Sequence, residues 1–137
     1  MKQDKITFRS NGFTLSGIVH VPDDMKPGEK RPAFIALHGF GSSKAAENVR
    51  LPCEMMNRFG YVTLRIDFRG CGESEGTPAN LICLEQVADT KNAVTYLQSR
   101  SEIDPKRIGV LGSSFGGAVT VYAAGVDKRV KAAISAG

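Results

Sequence analysis

Apolar and polar positions alternate at the start of the chain and then change rhythm. "KITFRS" and "FTLSGIVHV" flank Asn11-Gly12 with near-alternating patterning, which predicts two antiparallel strands joined by a two-residue turn. After a polar stretch from Asp23 to Pro32, "AFIALH" (Ala33 to His38) is almost continuously apolar, as a strand buried on both faces of a parallel sheet should be. "YVTLRIDF" (Tyr61 to Phe68), "RIGVLGS" (Arg107 to Ser113) and "VKAAISAG" (Val130 to Gly137) read as further strands. Segments with helical spacing separate them: Ser43 to Phe59, Leu81 to Arg100, and "FGGAVTVYAAG" (Phe115 to Gly125). The second carries its apolar stripe at Leu84, Val87, Ala88, Val94 and Leu97. In the first, Pro52 is expected in the opening turn of a restarting helix, since a proline in a helix interior forfeits a hydrogen bond and clashes with the preceding turn. Gly60 is its expected stop, and Met55, Met56 and Phe59 fit its buried face. A hairpin followed by alternating strand and helix predicts an α/β fold: an N-terminal antiparallel hairpin, then a parallel sheet with flanking helices, in one domain over residues 1–137.

Composition leaves that picture in place. With 42% hydrophobic and 23% charged residues, the chain reads as globular. The net charge of +4 comes from scattered lysines and arginines, so no phosphate-tracking stripe points to nucleic acid. Cys53, Cys71 and Cys83 are odd in number and form no CxxC pair, which disfavours a disulfide framework or a metal site and fits a reducing, cytoplasmic compartment. No run approaches the roughly 18 apolar residues of a membrane span, and no apolar core follows the N-terminal charges, so neither membrane nor export is expected.

The chemistry concentrates at Gly112-Ser113-Ser114-Phe115-Gly116, a G-x-S-x-G placed after an apolar strand and before a helix. A serine on so sharp a turn has a strained backbone, and side chains at the flanking positions would collide with neighbouring elements, hence Gly112 and Gly116. Ser114 is then a nucleophile near a helix N-terminus, where negative charge is favoured. An acyl-transfer site also needs donors for the tetrahedral oxyanion. The N–H groups of Phe115 and of Phe40, within "HGFG" (His38, Gly39, Phe40, Gly41), are the candidates. "RGCGESEG" has glycines after a strand, but the wrong spacing for a dinucleotide loop and two glutamates where a pyrophosphate would sit. "GVLGSSFGG" lacks the GK[ST] of a phosphate loop, so no cofactor is expected.

"LHGFGSS", "IDFRGCGESEG" and "DPKRIGVLGSSFGG", in this order, resemble the N-terminal half of an α/β-hydrolase, nearest the serine esterase, acyl-aminoacyl peptidase and dienelactone-hydrolase-like branches. The resemblance covers nearly the whole chain. It implies Ser114 as nucleophile, Phe40 and Phe115 as the oxyanion hole, a structural role for His38, and bracing of the loop after its strand by Asp67 and Arg69. It also implies an ester or peptide substrate and a histidine base oriented by a carboxylate, both later in the chain than the serine. After Ser114 the sequence offers one acid, Asp127, at the wrong end of the sheet, and no histidine; His20 and His38 both precede it. The expectation is therefore a fold incomplete at its C-terminal end, inactive alone, with the exposed last strand inviting self-association or a complementing chain. The competing expectation is a non-catalytic remnant.

Overall fold

Asn11 and Gly12 both take positive φ, 47° and 88°, the backbone that a hairpin turn of the I′ type requires. In the computed structural model, which describes residues 1–78 and 80–137, they join β1 (Lys2–Ser10) to β2 (Phe13–Val21). The chain continues through β3 (Arg31–Leu37), α1 (Glu47–Arg58), β4 (Val62–Ile66), α2 (Cys83–Gln98), β5 (Ile103–Ser113), α3 (Phe115–Val126) and β6 (Val130–Ala136). Six strands form one sheet in the order β1-β2-β4-β3-β5-β6. The pairs β1/β2 and β2/β4 are antiparallel, while β4, β3, β5 and β6 run parallel. This is a partial α/β-hydrolase architecture: a hairpin leading into a parallel sheet with helices on its faces.

Alternation along β3 divides the core between those faces. Ala33, Ile35 and Leu37 belong to the larger cluster, with Leu64, Ile66, Val94, Leu97 and Val119. Phe34 and Ala36 join the smaller one, with Val49 and Cys53 of α1 and Leu111 of β5. A strand with both faces covered must be apolar throughout, which is why "AFIAL" shows no polar position.

Four expectations need correction. Pro52 does not open a helix: α1 starts at Glu47, and the proline lies in its interior. The helix start is closed by the Val49 and Arg50 N–H groups on the Ala46 carbonyl, so only about one turn precedes the missing donor and the loss stays confined to the Asn48 carbonyl. The buried face of α1 is Val49, Cys53 and Asn57, an i, i+4 stripe, whereas Met55 and Phe59 are 53% and 71% exposed. Leu84 leaves the expected stripe of α2 and is exposed; polar Gln86, Asp89 and Thr90 are buried instead. Finally, β5 begins at Ile103 rather than Arg107, with a register shift against β3 between Arg31 and Ala33.

Candidate active site

Ser114 directly follows β5 and caps α3 with φ 55° and ψ −125°, a conformation that L-residues rarely adopt. Its N–H donates to the Ala136 carbonyl, and its own carbonyl accepts from the Gly117 and Ala118 N–H groups. Those backbone bonds leave the side chain exposed, with no hydrogen bond to Oγ among the described residues. The flanking glycines are required by space. A Cβ on Gly112 would come within 2.5 Å of the Gly116 carbonyl oxygen, and one on Gly116 within 2.6 Å and 2.7 Å of the Leu37 and His38 carbonyl oxygens. The start of α3 therefore lies directly against the end of β3.

That contact brings the "HGFG" loop to the serine: a Cβ on Gly39 would lie 3.8 Å from the Ser114 Cβ. Ser42 N–H donates to the Gly39 carbonyl, and Gly41 has φ 65°, so residues 39–42 form a turn with Phe40 and Gly41 at its centre. The turn's own hydrogen bond does not use the Phe40 N–H. The Phe40 ring, 69% exposed, meets the Phe115 ring edge-on at 5.8 Å. Beside this loop, Phe40, Gly41 and Ser42 face Gly70, Cys71 and Leu81 across a cavity of about 330 Å³. Beside Ser113, Pro52, Met55, Met56, Leu111 and Ile134 line an apolar groove of about 230 Å³. A larger cavity, about 490 Å³, lies by Met1, Asp24 and Glu54. It is where the parallel strands begin, the wrong end for a residue on a strand-to-helix turn.

His38 is fully buried and locked. With Nδ1–H donating to the Gly39 carbonyl at 2.8 Å, Nε2 accepts from the Phe68 N–H at 3.1 Å. Burial lowers its pKa, against the opposing pull of the Gly39 carbonyl, so it stays a neutral strut between β3 and the end of β4 with no nitrogen left to serve Ser114. His20 is buried too, and Nε2 accepts from Arg65 Nε at 2.9 Å.

Asp67 and Arg69 hold the neighbouring loop through separate partners. Asp67, fully buried, accepts from the Lys44 N–H, from Lys44 Nζ at 2.6 Å and from the Glu73 N–H. Arg69 bonds the buried Asp89 through its backbone N–H, Nε and Nη2. Lys44 Nζ also reaches Glu73 at 2.8 Å, and with Lys5 it pulls the Glu73 carboxyl down to about 2. For Lys44 itself burial works against the charge, but the bonds to Asp67 and Glu73 outweigh it and raise its pKa. The Cys71 thiol is pushed up by burial and by Asp67 and Asp89, which makes it a poor nucleophile. Asp127 lies at the far end of α3, bonded to Arg129. No cluster of three or more metal-ligating side chains occurs among the described residues. No helix among them is long and apolar enough to cross a membrane.

The fold that carries this arrangement has counterparts among known proteins. The model of the X-Pro dipeptidyl-peptidase family (S15 family) matches residues 11–136. This chain belongs to that family. The S15 chain superposes on the α/β hydrolase GrgF from Penicillium sp. sh18 with a TM-score of 0.90 at 31% identity, covering 98% of its own length and 45% of that chain. Against Est1E from Butyrivibrio proteoclasticus, solved with ferulic acid bound, the TM-score is 0.86 at 25% identity, covering 93% and 50%. The thiohydrolase aneE of Aspergillus aculeatus is 39% identical over 107 residues, 76% of the S15 chain and 33% of that protein. The chain thus spans half or less of these relatives' lengths. It is a member of the α/β-hydrolase superfamily, in a hydrolase and esterase-like family.

Proposed function

We propose that these residues are the nucleophile-bearing part of a serine hydrolase acting on carboxylic esters or thioesters, with peptide bonds as the second reading that the S15 match favours. One observation carries the proposal: Ser114 is held at φ 55° on a strand-to-helix turn and left exposed beside the 39–42 turn. In this reading Ser114 Oγ attacks the substrate carbonyl carbon, and its proton passes to a base. The Phe40 and Phe115 N–H groups hold the oxyanion while the bond to the leaving alcohol, thiol or amine breaks and the base returns the proton to it. Water then hydrolyses the acyl-serine to a carboxylic acid and free Ser114. The base lies outside these 137 residues, since both histidines precede Ser114 and the structure commits their ring nitrogens elsewhere. The substrate sits between the Phe40 loop and Cys71, and no cofactor, membrane or nucleic acid takes part. A chain carrying the base would complete the site along β6.

Imidazole supplied from solution stands in for the missing base. Intact mass of the chain after exposure to a fluorophosphonate should show a single adduct on Ser114 whose rate rises with the concentration of neutral imidazole and which Ser114→Ala abolishes. An adduct of equal size in Ser114→Ala, or none at any imidazole concentration on folded protein, would sink the proposal and leave the non-catalytic remnant.

A further inference from the structure

The geometry points to Lys44 as a positioning residue for the Phe40 N–H, acting through a clasp that fixes the far end of the glycine loop to β4. The loop from His38 to Ala46 is held at both ends. At its start, His38 is tied to the Phe68 N–H. At its end, every polar group of Lys44 is engaged: the N–H with Asp67 Oδ1 at 2.7 Å, Nζ with Asp67 Oδ2 at 2.6 Å and Glu73 at 2.8 Å, and the carbonyl with Arg65 Nη1 at 2.7 Å. Lys44 is 4% exposed and Asp67 is fully buried, so this is an interior ion pair and not a surface one. Such pairs add little net stability, and separating one costs the attraction with little water at hand to replace it, which holds the two groups in one geometry. Between the two anchors the 39–42 turn is held, among the described residues, by the Ser42 N–H and the His38 Nδ1–H, both on the Gly39 carbonyl, and neither Phe40 nor Gly41 makes a hydrogen bond there. Without the Lys44 ammonium that end keeps only its two backbone bonds, to Asp67 and Arg65, with the Asp67 charge left uncompensated, and the direction of the Phe40 N–H is less tightly fixed. Gly72, φ 50°, belongs to the same device: a Cβ there would meet the Asp67 carboxylate at 2.3 Å, so the backbone of the loop lies directly against the pair.

This inference rests on the reading of Ser114 and Phe40 given above, and its test separates the two. Amide hydrogen exchange on the 137-residue chain, read for residues 39–46, compares the parent with Lys44→Met and Lys44→Arg. The double variant Lys44→Met/Asp67→Asn removes both charges and guards against misfolding by an orphaned carboxylate. Exchange in 39–46 should rise by about tenfold or more in Lys44→Met, with β3 and β5 unchanged, rise less in the double variant, and return towards the parent in Lys44→Arg. Imidazole-assisted labelling at saturating probe should fall by about tenfold in Lys44→Met, with unchanged half-saturation and recovery in Lys44→Arg. Unchanged exchange, or faster exchange with undiminished labelling, overturns the positioning role. Absence of labelling in the parent overturns the Ser114 reading and with it the catalytic meaning of the clasp, while the exchange data still decide whether Lys44 holds the loop.

Discussion

Gly116 illustrates how much of this site is steric. Alanine there would drive a Cβ into the carbonyl oxygens of Leu37 and His38, both backbone atoms that cannot swing away. Gly116→Ala is expected to destabilise the chain by about 1–3 kcal/mol in urea unfolding, the usual range for overpacking. Gly125→Ala, in α3 with open space around the added carbon, is expected to be neutral or to stabilise by up to about 1 kcal/mol. Equal effects from the two would show that the contact at Gly116 relaxes freely. Ser114 and its glycines were legible in the sequence because G-x-S-x-G between a strand and a helix is a local pattern, even though the carbonyls that Gly116 must clear belong to distant Leu37 and His38. Lys44 and Asp89 were not, because a lysine or aspartate takes its role from a partner, here Asp67 at 23 residues' separation and Arg69 at 20. Nothing in the residues around Lys44 announces that it will be buried.

Among the elements, the junction of β2 with β4 carries a pH dependence. Burial first, and then the nearby Arg65 charge, push His20 from 6.5 down to about 4, with Glu54 opposing. The folded state therefore keeps the ring neutral while the unfolded chain binds a proton below about 6.5, so the stabilisation is complete above that pH. It is lost as pH falls from about 6.5 to 4, a change on the order of 3 kcal/mol. Urea unfolding across that interval should show stability declining with pH, and His20→Gln, which can still accept from Arg65, should flatten the decline. A slope that His20→Gln leaves intact would assign the effect to other groups. Periodicity had made every strand and helix legible, since strands buried on both faces and helices with one apolar stripe write different patterns. What it did not reveal was that α2 buries Gln86, Asp89 and Thr90, or that Pro52 lies inside α1, because these depend on what each helix packs against. Nor does any local pattern place β4 between β2 and β3.

Across the whole molecule, the apolar interior gives way at one side. β6 is an edge strand, almost wholly exposed, with Ile134 at 51% and, on the adjacent α3, Val121 at 60% and Tyr122 at 47%. An exposed edge with apolar side chains favours pairing with another chain. Light scattering on the 137-residue chain is expected to show mass rising with concentration, and Ile134→Lys to suppress it; a monomer at all concentrations would refute this. The order of the strands has a second consequence, for synthesis. β3, the most apolar strand, lies between β4, which ends at Ile66, and β5, which ends at Ser113. On the ribosome it acquires its first neighbour once β4 has emerged and its second only after α2 and then β5 have followed. Until then the nascent chain presents an open apolar edge beside β3, so translation rate rather than final stability sets how long that edge is exposed.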